Sequence, residues 1–135
     1  MKKNIFVLTL IILLSGCAHP DGTTTEVLAK GGSSWDGGFL PAYPTGKPEI
    51  TVLKITIPPG AQLERHRHPV INAGYLVSGE LTVVTDDDQK LHLRAGESLI
   101  EVVDKGHYGK NEGRSPAVIV VFYVGEADRP VTVKH

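Results

Sequence analysis

From Glu49 onward, apolar and polar residues alternate with a period of two. In residues 50–57, Leu53, Ile55 and Ile57 alternate with Lys54 and Thr56. In Glu80–Thr85, Leu81 and Val83 share a face. In Lys90–Arg94, Leu91 and Leu93 share one face and His92 lies on the other. Successive side chains of an extended chain point to opposite sides, so each stretch predicts a half-buried strand. Residues 117–124 instead run unbroken through Val118-Ile119-Val120-Val121-Phe122-Tyr123-Val124. Their β-branched and aromatic content predicts a strand buried on both faces. Turn residues separate these runs: Pro58-Pro59-Gly60, Ser78-Gly79, Asp86-Asp87-Asp88, Ala95-Gly96 and Gly113-Arg114-Ser115-Pro116. No segment past Glu49 carries a 3.6-residue apolar stripe. The pattern predicts one all-β domain, a sandwich or a barrel.

Upstream the pattern changes twice. Residues 31–48 are rich in Gly and Pro yet hold Trp35, Phe39 and Tyr43. Aromatics in an irregular stretch predict a loop that packs on something, either covering one end of the core or closing over a ligand cavity. Residues 18–25 are polar, with Pro20 and Gly22, and read as a tether. Met1-Lys2-Lys3 is a positive start, and residues 5–14 are apolar except for Thr9. Ten apolar residues are too few to span a bilayer, which takes about 20. A positive start, a short apolar core and small residues at its end describe a secretory signal over residues 1–16.

Composition adds limits. The 135 residues carry 14 Lys plus Arg and 15 Asp plus Glu, a formal charge of -1. Without residues 1–16 there are 12 basic against 15 acidic side chains, a charge of -3. With neither a basic excess nor a Lys/Arg cluster, nucleic acid is not an expected partner. The hydrophobic share of 41% is that of a folded chain. A single cysteine excludes an internal disulfide framework and a multi-cysteine zinc site.

That cysteine is Cys17, in Leu14-Ser15-Gly16-Cys17. The sequence resembles the bacterial lipoprotein cleavage box, in which the cysteine becomes the first residue and is acylated. Ala18 follows it, not the Asp associated with inner-membrane retention. The resemblance implies an exported protein held by lipid at the outer membrane and facing the periplasm.

Six histidines carry the candidate chemistry. His19 and His135 lie near the ends, and His92 reads as surface. His66 and His68 are two apart, so on a strand both project to one face while Arg65 and Arg67 point away. Two imidazoles on one face can share a metal ion if a third ligand arrives from elsewhere, and His107 is the remaining candidate. Glu101 interrupts an apolar run, Leu99 to Val103. An outward-facing edge position is its simplest explanation, and a general acid/base or replacement ligand its alternative. Glu64 precedes His66 by two and belongs to the same face, or to a salt bridge. Tyr75 and Tyr108 could offer phenols to a bound substrate, or simply pack.

The spacing of glycines around these histidines resembles the two motifs of the cupin family. Gly60, His66, His68 and Gly79 fit the first, with Asn72 where its Glu would stand. Gly96, His107 and Asn111 fit the second, with Val102 and Asp104 in place of its Pro and Gly. The resemblance covers about residues 50–124 and is closest to small single-domain bacterial cupins. It implies a jelly-roll β-barrel domain over residues 26–135 and one divalent ion, Fe, Mn, Ni, Zn or Cu, on His66, His68 and His107. Asn72 would lie near the ion or bind it weakly, and Asn111 would be structural. It also implies protomers that pair through edge strands as a homodimer. Three neutral imidazoles would leave the site at a formal +2, favouring a small anionic ligand or substrate. Three-His cupins such as thiol dioxygenases work without the carboxylate, so O₂-dependent oxidation is the first expected chemistry and isomerisation the second. The alternatives are a non-catalytic module that binds metal or a small ligand in the envelope, and a metal-free structural cupin in which Asn72 marks a degenerate site.

Overall fold

The structure is a computed structural model and describes residues 22–134. Cys17, His19, His135 and the expected signal segment lie outside the described residues. The strands are β1 (Pro48–Ile57), β2 (His66–Arg67), β3 (Ile71–Ser78), β4 (Glu80–Thr85), β5 (Lys90–Arg94), β6 (Ser98–Ile100), β7 (His107–Lys110), β8 (Ala117–Glu126) and β9 (Val133–Lys134). They form two antiparallel sheets, ordered β1-β8-β3-β6 and β5-β4-β7-β2-β9. The all-β expectation holds, and the arrangement is a rolled double sheet of jelly-roll type.

The strands that alternate in sequence alternate in space. Ile57 and Leu76 are buried from the first sheet, and Leu81, Val83 and Leu93 from the second. Between them they form one apolar core with Ile119, Val121 and Tyr123 of β8. The β8 run departs from its expectation. Its residues alternate between buried and half-exposed, and Phe122 is 49% exposed. Only one face of this sheet meets the other sheet. Its outer face, with Ile50, Val52 and Phe122, is apolar but uncovered among the described residues.

Two motif residues are explained by the backbone. Gly79 joins β3 to β4 at φ +77°, where a Cβ would lie 2.5 Å from the Pro116 carbonyl oxygen. Only glycine combines that dihedral with that approach. Asn111 is fully buried, and its amide donates to the carbonyls of Ile57 and Ser115 while its oxygen accepts from Gly113 N–H. It ties the chain after β7 to the ends of two other segments.

Of the three aromatics in the loop, only Trp35 packs against the core. Ser34 and Gly38 close a tight turn, and Trp35 N–H donates to the Ile100 carbonyl at 2.9 Å. Trp35 packs against the core, whereas Phe39 is 92% exposed and Tyr43 is also exposed. Lys105 pairs with Asp36 and Asp87 and clips the same loop to the second sheet.

Candidate metal centre

β2 and β7 are antiparallel neighbours, with His66 directly opposite His107. His68 lies just past β2, where Pro69 ends the pairing. The three rings meet inside the barrel, with centroids 4.6 to 5.0 Å apart. One donor atom from each lies within 4.8 Å of the others. His68 and His107 are buried and His66 is half-buried. Arg65 and Arg67 point outward as expected, to Asp86 and Asp104.

Hydrogen bonds set the ring orientation. His66 Nδ1 lies 2.7 Å from the Glu64 carbonyl, His68 Nδ1 2.8 Å from that of Val131, and His107 Nδ1 3.0 Å from that of Lys105. A carbonyl oxygen only accepts, so each Nδ1 carries the proton. In the neutral ring Nε2 then keeps its lone pair, the form in which imidazole binds a metal. Burial, with smaller contributions from the other two imidazoles, pushes His68 down to about 4, against the Val131 hydrogen bond. It is neutral at pH 7. The donor set thus fits a divalent transition ion: three convergent imidazoles, each oriented by a carbonyl.

Asn72 is inside the cavity wall, fully buried, with Nδ2 donating to the Val70 carbonyl at 3.2 Å. Glu101 overturns its simplest expectation. It does not face outward but is 8% exposed and lines the same cavity. Its Oε1 accepts from Trp35 Nε1 at 2.8 Å and from Val102 N–H at 2.9 Å, while Oε2 lies 3.8 Å from His107 Nε2. The short β6 ends at Ile100, and Glu101 continues its alternation inward.

The two candidate phenols are elsewhere. Tyr75 shares β3 with Asn72 but at odd spacing, so it lies on the outer face. Tyr108 follows His107 by one and is likewise turned out, beneath the Arg65 guanidinium at 5.2 Å. Strand parity excludes both from the cavity. Glu64 is exposed at the mouth and pairs with Lys134, which holds its carboxyl below the usual range. His92 is on the surface, near Glu80 and Thr82. The tyrosine at the site is Tyr123, from the apolar run that predicts a buried strand. It is buried, with its ring edge-on to His68 at 5.1 Å. Burial pushes its phenol up, partly offset by a hydrogen bond with Thr132. Its parity with Ile119 and Val121 was the available signal, hidden inside an unbroken apolar run.

An inner cavity of about 60 Å³ lies among the histidines and apolar residues such as Ile55, Leu81 and Val121. It opens toward an outer bowl of about 350 Å³, bordered by Leu53, Leu63, Glu64, Thr132 and Lys134. Among the described residues, no Lys or Arg lines the inner cavity, and Glu101 is its sole carboxylate. An anion entering it would meet no positive charge from protein side chains with neutral imidazoles.

Comparison with known proteins agrees with this fold. The family model described as Cupin domain, Cupin_2, matches residues 53–123. No curated protein matches. An uncharacterized conserved protein with a double-stranded β-helix domain from Klebsiella pneumoniae is 20% identical, over 69% of this chain and 88% of that one, with a TM-score of 0.56. Lactobacillus farciminis oxalate decarboxylase, in a formate complex, is 22% identical over 63% of this chain and 26% of that chain, with a TM-score of 0.55. Bacillus subtilis oxalate decarboxylase, studied for its Mn(II) centres, is 29% identical over 63% of this chain and 23% of that chain, with a TM-score of 0.53. The chain thus spans about a quarter of the length of either oxalate decarboxylase.

Proposed function

The chain belongs to the Cupin domain family, and from that premise we propose that it is a metal-dependent cupin whose barrel holds one divalent ion on His66, His68 and His107 and acts on a small anionic organic substrate. The observation that carries the reading is the convergence of three imidazoles, one donor atom of each within 4.8 Å of the others, with every Nδ1 held by a carbonyl. Such an ion would supply Lewis acidity and the positive charge that the cavity lining lacks.

The remaining residues shape what binds. The outer bowl admits a small molecule past the Glu64–Lys134 pair, and the inner cavity receives only its anionic head. Apolar walls exclude water from that head and strengthen its attraction to the ion. The Tyr123 phenol, neutral at pH 7, stands against His68 and keeps its ring in place. The oxalate decarboxylases among the similar structures handle a small carboxylate, which makes Mn(II) and small carboxylates the first pair to try. O₂-dependent oxidation is the reaction class proposed, with isomerisation second. Cys17 is proposed to carry a lipid anchor that places the domain at the outer membrane, facing the periplasm. In cells fed labelled palmitate, the chain should take up label and Cys17→Ser should not.

The test of the metal site is elemental analysis of the full-length chain purified without a histidine tag. The wild type should hold close to one transition ion per chain, and the His66→Ala/His107→Ala double variant almost none. Equal metal content in the two would overturn the reading. O₂ uptake by the Fe(II)- or Mn(II)-loaded chain, over small carboxylates, enols and thiols, then separates an oxygenase from a binding module.

A further inference from the structure

The position where the family motif has a carboxylate holds Asn72, whose amide is committed to the Val70 carbonyl. One strand away, the Glu101 amide donates to the Asn72 carbonyl at 3.1 Å. The two residues are therefore cross-strand neighbours, and both side chains enter the cavity. A carboxylate there is surrounded by apolar residues and imidazoles, with no Lys or Arg in the lining. Burying an anion so is costly unless a cation or strong donors meet it.

The donors meet only one of its oxygens. Trp35 Nε1 and Val102 N–H both go to Oε1. Oε2 faces His107 Nε2 at 3.8 Å, beyond hydrogen-bond distance, while His107 Nδ1 is held by the Lys105 carbonyl. Two donor atoms that each lie about 2.1 Å from one ion stand within about 4.2 Å of each other, and the separation of 3.8 Å fits that span.

We infer that Glu101 is the anionic donor of the metal centre, supplying from the end of β6 the carboxylate that Asn72 does not. Trp35 is its positioning residue: by occupying Oε1 it leaves Oε2 on the His107 side of the cavity, where it would meet an ion held there. The inference rests on the three-His reading above and deepens it. With Glu101 the centre carries a formal +1 rather than +2, and the loop that brings Trp35 becomes part of the metal site.

The test is titration of the full-length, metal-stripped chain with Mn(II), followed by electron paramagnetic resonance, and with Co(II), followed by its visible bands. Wild type, Glu101→Gln, Trp35→Phe and His107→Ala are compared. Glu101→Gln should bind Mn(II) about tenfold or more weakly, as loss of a site carboxylate commonly does, and should shift the Co(II) bands. Trp35→Phe keeps an aromatic ring against the core but loses the indole N–H and the five-membered ring that carries it. It should shift the same bands in the same direction with a smaller loss of affinity, at a melting temperature near that of wild type. Wild-type affinity and bands in Glu101→Gln, with binding lost in His107→Ala, would overturn the inference and leave the three-His site standing. Wild-type binding in His107→Ala would overturn both. Should Glu101→Gln fail to fold, Trp35→Phe decides: shifted bands support the inference and unchanged bands refute it.

Discussion

His66 and His107 are built alike. Each donates Nδ1–H to the carbonyl two residues before it, and the two face each other across one antiparallel pair. His68 uses a distant carbonyl, Val131, so its orientation depends on the chain near β9. This has a pH consequence. His68 titrates near 6.5 when unfolded and at about 4 when folded. Between those values the unfolded chain binds more protons, so stability falls as pH is lowered through that window. The metal-free protein should lose up to about 3 kcal/mol between pH 7 and pH 4 from this group. Denaturant melts across that range check it, and His68→Gln should flatten the slope.

At the scale of elements, strand parity decides which side chains reach the cavity. It places Asn72 inward and Tyr75 outward on β3, and His107 inward and Tyr108 outward on β7. Phenol-to-Phe changes at 75 and 108 should therefore leave metal affinity within about twofold of wild type, read by Mn(II) titration, because neither ring lines the site. The turns that hold parity in register are less tolerant. Gly79→Ala adds a Cβ against the Pro116 carbonyl at a positive φ. It should destabilise the fold by about 1–3 kcal/mol or more, seen as a lower denaturant midpoint.

Taken whole, the molecule is one apolar core with a polar pocket let into it. Leu76 is fully buried in that core, away from the histidines. Leu76→Ala should cost about 2–5 kcal/mol in thermal or chemical unfolding, yet spare the metal ligands. An ion that binds only the folded chain should do the opposite and stabilise it. At 100 times its Kd, Mn(II) should add about 2.7 kcal/mol to wild type and nothing to the His66→Ala/His107→Ala variant, measured as a shift in Tm.

The sequence by itself determined the all-β class, the strands at Glu80–Thr85 and Lys90–Arg94, the turn glycines and the three histidines worth pairing. These are local matters: a period of two, a glycine at a turn, a spacing of two between imidazoles. Tertiary structure alone decided that Glu101 turns inward, that Tyr123 rather than Tyr75 or Tyr108 stands at the site, and that Trp35 holds the carboxylate. Trp35 and Glu101 are 66 residues apart in sequence. No local pattern encodes such a contact, because it arises only when the loop folds back on the edge of a sheet whose strands come from distant parts of the chain.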